Sequence, residues 1–425
     1  MAKVIKLKDG GILLYEKNKQ SKATAFRVGI LRGSYLDNNN GISHFFEHMI
    51  FQGTDKYTND ELAEIIRTDS NNLNASTSGS YMLIRSYESN RTINKTLKLC
   101  SQMLLDSNFD KEQIKNEKQI VLQEIIRSND DVDRIADFNL LRVLLKYPEI
   151  NSTILGDEKK LLKITQKDLF EYKNKNIVKQ NFFASVSSSL PAFIVKRLLN
   201  KHFVNKMPNG EKSYYNVSEL DVNGESALHI ETKERENVVL RIAIPFVGLS
   251  DNKKLFYASR LVEHLSGLKG PVFKHFKETN QLAYALCVEK LPLKNNGVFV
   301  FKIKTSADKV NLCFDAVGTF LKKIKNDGVT EKDVARLKEK YRERKDRFVS
   351  HPVDDCTNNL FEYLDFKRFI KPNFYKRMHK NYTCEDINKI IEEYFNVEKV
   401  FVSVVGPVTK KDIYTLNNIL KVVKG

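Results

Sequence analysis

The chain has 425 residues, of which 41% are apolar, 70 are Lys or Arg and 53 are Asp or Glu. That apolar share supports ordinary hydrophobic cores and excludes wholesale disorder, and at about 150 residues per domain the length suggests two or three domains. No run approaches the roughly 20 apolar residues of a membrane span, and the net charge of +17 is spread as lysines through every segment rather than gathered into an Arg-rich block, so neither a membrane nor a nucleic-acid partner is expected.

Taken in chain order, Met1–Gly10 alternates like a strand and lacks the apolar centre of a secretory leader, so the fold is expected to start near residue 1. Phe26–Ile30 alternates as a strand. Thr58-Asn59-Asp60-Glu61 is a capping box that predicts a helix through Arg67. Tyr81–Ser86 reads as a strand. Thr165-Gln166-Lys167-Asp168 opens another helix, and Phe183–Val186 follows as a strand. Residues 206–224 are polar and rich in turn formers, which predicts a linker. Leu240–Ile244 alternates again. Asn295-Asn296-Gly297 between Ala283–Leu291 and Val298–Thr305 signals a hairpin, hence antiparallel pairing. Thr383-Cys384-Glu385-Asp386 opens a late helix, with Phe401–Val404 as the closing strand.

The spacings repeat. The step from the Thr165 helix start to the Thr383 helix start equals the step from the Phe183 strand to the Phe401 strand. Arg27 to Arg241 and Asp37 to Asp251 are likewise equal to each other. The same order at both ends of each half predicts an internal duplication. The expected architecture is α+β, with two similar domains at 1–210 and 225–425, each a mostly antiparallel sheet packed with helices. The five cysteines are odd in number and scattered, which argues against a disulfide framework and for a reducing, cytoplasmic setting.

His44-Phe45-Phe46-Glu47-His48 carries the most chemistry. On a helix, positions i and i+4 share a face, so both imidazoles can reach one ion. Two neutral imidazoles suit Zn²⁺, and Glu47 beside that face can take a proton from a bound water. With 8 His in the chain, such a motif is expected by chance on the order of 0.01 times. Ile42, Phe45, Phe46, Met49, Ile50 and Phe51 would bury the helix. Catalytic zinc takes a third protein ligand. Glu117 and Glu124 are candidates, two helical turns apart, on a helix that Ile120, Val121, Leu122, Ile125 and Ile126 would partly bury.

Gly41–Thr54, with the spaced Glu-x6-Glu downstream, resembles the M16 (pitrilysin/insulinase-type) zinc metallopeptidases, the inverzincins. Leu73-Asn74-Ala75-Ser76-Thr77 is similar to that family's substrate-pairing edge strand, with Asn71-Asn72 replacing its Gly-Gly. The likeness covers essentially the whole chain and points to the short, two-domain, dimeric branch that includes mitochondrial processing peptidases and bacterial relatives. It implies His44, His48 and Glu124 as zinc ligands, Glu47 as general base and Glu117 as support for a ligand. It also implies Asn74 and Ala75 as substrate-pairing residues, and Tyr284 with Lys277, where the family has Arg, as oxyanion contacts. Asn tolerates left-handed backbone, so the turn at 71–72 is expected to survive.

The second half offers a control. Arg260-Leu261-Val262-Glu263-His264 follows the zinc motif at nearly the spacing of the repeat, but Arg cannot ligate a metal. The position matching Glu124 falls near Lys340-Tyr341-Arg342, so one metal site per chain is expected. The resulting expectation is a zinc endopeptidase acting on peptides or unfolded segments in a homodimeric chamber. Its rivals are the catalytic half of a heterodimer, a basic nucleic-acid binder with structural zinc, and a non-catalytic scaffold.

Overall fold

The structure is a computed structural model that describes residues 2–38, 40–70, 72–145, 147, 153–213, 216–279, 281–347 and 350–424. The first half runs β1 (Lys3–Lys6), β2 (Ile12–Lys17), β3 (Ala23–Ile30), α1 (Ile42–Met49), α2 (Asn59–Asp69), β4 (Asn74–Thr77), β5 (Met82–Ser89), α3 (Ile93–Leu105), α4 (Lys111–Asp130), α5 (Val132–Leu145), α6 (Glu158–Lys163), α7 (Gln166–Asn176), β6 (Phe182–Ser188) and α8 (Ala192–Leu199). The second runs β7 (Ala227–Thr232), β8 (Val238–Val247), α9 (Asn252–Leu265), α10 (Pro271–Phe273), β9 (Ala285–Pro292), β10 (Asn296–Thr305), α11 (Val310–Asp327), α12 (Glu331–Arg347), α13 (Pro352–Phe366), α14 (Pro372–Asn381), α15 (Cys384–Tyr394), β11 (Phe401–Gly406) and α16 (Leu416–Lys424).

The two sheets share one topology. The first is ordered β1-β2-β6-β3-β5-β4 and the second β7-β11-β8-β10-β9, so β2 through β6 have counterparts in β7 through β11. Each contains one parallel pair, β2 with β6 and β7 with β11, among otherwise antiparallel neighbours. The register repeats to the residue: Arg27 stands opposite Ser185, and Arg241 opposite Ser403. Capping boxes at Thr58, Thr165 and Thr383 start α2, α7 and α15. The predicted hairpin exists, but its connection is 293–295. Asn296 and Gly297 already lie in β10, where a Cβ on Gly297 would come within 2.6 Å of the Leu291 and Val247 carbonyl oxygens.

The expected straight division into 1–210 and 225–425 misses an exchange. One compact unit is Met1–Arg127, Pro148–Asn216 and Val349–Ile370, and the other is Ser128–Tyr147, Val217–Phe348 and Lys371–Gly425. Helix α13, from the second half, therefore packs on β2, β3 and β6 of the first sheet, and α5, from the first half, packs on β7, β8 and β11 of the second. These are equivalent helices, with Ala136 and Cys356 both fully buried against their sheets. Polar contacts fix each one. In the first unit Arg27 donates to the Val353 carbonyl at 3.1 Å, and Ser187 Oγ donates to Asp355 at 3.0 Å. In the second unit Arg241 donates to Asp137 at 2.6 Å and to Asp133 at 2.9 Å.

Each unit keeps its main apolar core on the other face of its sheet. In the first that core includes Phe26, Val28, Phe45, Phe46, Met49 and Phe182. In the second it includes Leu240, Ile242, Phe299, Phe301 and Val404.

Candidate metal centre

Helix α1 is anchored before it reaches the histidines. Gly41 caps its start with φ 70°, and a Cβ there would lie 2.2 Å from the Leu155 carbonyl oxygen, so only glycine fits. Phe45, Phe46, Met49 and Ile50 are fully buried, each worth about 1.5–3 kcal/mol relative to exposure. Asp37 accepts the backbone N–H of Ser43 at 2.9 Å and its hydroxyl at 2.7 Å, taking an orphan donor of the first turn. Arg32 pairs with Asp37 at 3.0 Å, and Tyr172 donates its hydroxyl to Ser43 at 2.9 Å. Burial raises the Asp37 pKa, and Arg32 and Ser43 pull it the other way. Asp251, its counterpart in the second repeat, caps α9 through the N–H groups of Lys253 and Lys254. The matched aspartates of the duplication thus mark a helix cap in each repeat.

This anchoring brings His44 and His48 together, with ring centroids 4.7 Å apart. Glu124 on α4 meets both: its Oε2 lies 3.6 Å from His44 Nε2 and 3.7 Å from His48 Nε2. One ligand atom from each of the three lies within 4.8 Å of the others. Bonds of about 2.0–2.1 Å to a tetrahedral ion put donor atoms roughly 3.3 Å apart. The donor set and spacing therefore fit zinc. Glu117 and Glu124 are no longer equivalent. Glu117 Oε2 bonds His48 Nδ1 at 2.9 Å, and Gln52 donates to its Oε1 at 2.7 Å, so both oxygens are engaged. Asn59 in turn donates to Gln52 and to Gln113. This chain holds the His48 ring with Nδ1 toward Glu117 and Nε2 toward Glu124. Burial works against a charged His48, but the Glu117 hydrogen bond and the charges of Glu124, Glu47 and Glu117 outweigh it and lift its pKa. On α4, Val121 and Ile125 are buried and Leu122 partly so. The expected burial of Ile120 and Ile126 does not occur, because they lie on the solvent side at 50% and 52% exposure.

Glu47 sits on the same helix and accepts the Thr77 hydroxyl at 2.6 Å. Burial raises its pKa, opposed by the Thr77 hydrogen bond and by His48. Thr77 ends β4, which is the outermost strand of its sheet and pairs only with β5 among the described residues, in the register Asn74 to Arg85 and Thr77 to Met82. From sequence, Thr77 carried no role of its own and Asp37 only marked a spacing. Gln52, Arg32 and Tyr172 left no sequence signal because their partners are distant along the chain. Of the 71–72 turn, Asn71 lies outside the described residues. Asn72 is not left-handed and donates its side-chain amide to the Tyr87 carbonyl at 3.4 Å.

In the second unit, Arg260 pairs with Glu263, which also takes Arg344, and His264 Nδ1 lies 3.8 Å from Asp333. Around Arg260–His264 no metal-ligand cluster forms among the described residues. The one further grouping of this kind among them, on the same unit's surface, is Glu331, Cys384 and Glu385. The hydrogen bond to Glu331 and the neighbouring carboxylate push the Cys384 thiol up to about 11. Lys277 stacks its ammonium over Phe273 at 5.3 Å, and Tyr284 is 60% exposed with its N–H bonded to the Lys304 carbonyl.

The family model described as Insulinase (Peptidase family M16) matches residues 12–158, and the one described as Peptidase M16 inactive domain matches 163–341. The chain belongs to peptidase family M16. Among its M16 relatives, a Rickettsia bellii protein described as an uncharacterized zinc protease is 24% identical over 412 residues, covering 95% of this chain and 97% of its own. A Bacillus subtilis protein described as uncharacterized zinc protease YmxG is 25% identical over 345 residues, covering 80% and 82%. A probable mitochondrial-processing peptidase subunit beta of Arabidopsis thaliana is 30% identical over 185 residues, covering 43% and 34%. The M16 fold is shared with a Pseudomonas fluorescens M16 inactive-domain structure, at a TM-score of 0.81, 14% identity and coverage of 96% and 98%. A Helicobacter pylori protease superposes at a TM-score of 0.80, with 18% identity and coverage of 96% and 99%.

Proposed function

We propose that this M16 protein is a zinc-dependent endopeptidase that hydrolyses peptides or unfolded segments. The observation that carries the reading is the convergence of His44, His48 and Glu124 beside a buried Glu47 whose partner, Thr77, ends an edge strand. His44, His48 and Glu124 would hold the zinc, and Glu117 keeps the His48 ring turned toward it. Bound there, zinc polarises a scissile carbonyl and lowers the pKa of a water. Glu47 takes the proton from the attacking water and delivers it to the leaving amine, with the Thr77 hydrogen bond fixing the carboxylate. The outer edge of β4, at Asn74 and Ala75, receives the substrate backbone as an added strand, a mode that reads main chain more than side chain.

Tyr284 and Lys277 stabilise the oxyanion, and we assign that role across a homodimer, because each chain supplies one metal-bearing and one metal-free repeat. The second reading is a heterodimer in which this chain brings the metal. It is favoured by Lys277 in place of the family's Arg, which loses a bidentate donor. A cytoplasmic setting belongs to the same proposal and rests on five scattered free cysteines.

Metal analysis with peptide-library digestion by the purified chain tests the proposal. About one zinc per chain and cuts inside peptides are expected. Glu47→Gln should keep its zinc yet lose about 10²–10⁴-fold in rate. Cleavage by Glu47→Gln at the parent rate would remove Glu47 from the chemistry. A zinc-loaded chain that cuts nothing alone would favour the heterodimer.

A further inference from the structure

We propose that the second repeat carries a binding pocket for phosphate-type oxyanions where the first repeat carries its metal centre. The shift that lays the zinc motif on Arg260–His264 takes His44, Glu47 and His48 onto Arg260, Glu263 and His264, and the step from Ala136 to its equivalent Cys356 takes Glu124 onto Arg344. Two of the three metal ligands have thus become cations. Glu263, the counterpart of the general base, is neutralised by Arg260 and Arg344.

Beside this group lies a cavity of about 360 Å³ whose wall includes His264, Lys269, Lys274, Asp333, Arg336 and Lys340. Its four cations, Lys269, Lys274, Arg336 and Lys340, make no ion pair within 4.0 Å among the described residues. The one acid on the wall is already engaged: Asp333 Oδ2 accepts the Thr330 N–H at 3.1 Å and its hydroxyl at 2.6 Å. Burial, then the charges of Arg336 and Lys340, lower the pKa of His264 against the pull of Asp333, so the ring stays neutral and can donate one N–H.

The rim is also shaped unusually. Lys269 holds a left-handed backbone, φ 68°, between Gly267 at φ 93° and Gly270, where a Cβ would lie 2.5 Å from the Ser266 carbonyl oxygen. A lysine held in that conformation is the kind of local strain that surrounding structure maintains at ligand sites. Arg offers a fork to two phosphate oxygens and Lys a point charge to others, so this set suits a multiply charged oxyanion. The source is free inorganic phosphate or the diphosphate end of a nucleotide.

Calorimetric titration of the intact chain with inorganic phosphate and with ADP, at constant ionic strength, tests the proposal. The pair Lys274→Gln and Arg336→Gln should weaken binding about tenfold or more. The pair Lys410→Gln and Lys411→Gln, exposed and outside the pocket, removes the same charge and should leave affinity unchanged. Glu124→Ala should also bind normally, which separates this pocket from the metal centre. Tighter binding of ADP assigns the source to a nucleotide, and equal or weaker binding assigns it to the free anion. No saturable binding of either probe, or equal weakening by both charge-matched pairs, overturns the proposal.

Discussion

His48 Nδ1 lies 2.9 Å from Glu117 Oε2, so the carboxylate two helical turns before Glu124 is committed to orienting a ligand. The proposed metal centre therefore depends on two glutamates of one helix in different ways.

Glu124→Ala should lose most of the zinc while the fold survives, because the side chain is partly solvent-exposed. Glu117→Gln should still bind one zinc, but about 10–100-fold more weakly, as typical for loss of a partner that orients a ligand. Chelator competition on both variants measures this. Full occupancy in Glu124→Ala would move the third ligand elsewhere.

Asp37 should matter for stability as well as for the site. Its removal takes the cap from α1 and the carboxylate from buried Arg32, and breaking a buried pair typically costs about 3–5 kcal/mol. Asp37→Ala should shift the urea midpoint downward and weaken zinc binding together. An unchanged midpoint would show that core packing alone holds the helix.

Subunit mixing tests the oxyanion assignment. Tyr284→Phe removes a hydroxyl whose loss at such a contact typically costs roughly 3–4 kcal/mol in rate. Tyr284→Phe and Glu47→Gln should each be nearly inactive alone. Mixed, one site would combine an intact Glu47 with the partner's intact Tyr284, and activity should partly return. Absence of recovery, with exchange verified by mass spectrometry, confines Tyr284 to its own chain or to packing.

Two histidines away from the site should make the fold acid-sensitive. His202 and His379 are held neutral, each pushed down to about 4, by burial first and then by neighbouring cations. The unfolded chain binds protons near the ordinary value of about 6.5. Their contribution is complete above that pH and is lost progressively as pH falls from about 6.5 toward 4. Urea midpoints should drop below about pH 6.5. His379→Phe keeps a ring against Tyr341, which stacks 3.4 Å away, and should flatten part of that drop. An identical acid slope in the variant would exclude His379 as a contributor.

What the sequence determined by itself was local or periodic. The i, i+4 histidines, the two glutamates two turns apart and the capping boxes depend on helix geometry that a few neighbouring residues set. The duplication was legible because Arg27 with Arg241 and Phe183 with Phe401 recur in order, and Arg27 and Arg241 occupy the same register in both sheets. Tertiary structure alone decided the rest. The α5 and α13 exchange depends on which sheet offers a free apolar face and a matching polar partner, Arg241 for Asp133 and Asp137 in one unit and Arg27 for the Val353 carbonyl in the other. The division of labour between Glu117 and Glu124 depends on Gln52 and His48 occupying both oxygens of Glu117. The Asp37 cap and the Thr77 bond to Glu47 join residues that are not neighbours along the chain. No local pattern encodes such contacts, because their energy comes from burial that exists only once the sheet and helices have closed on one another.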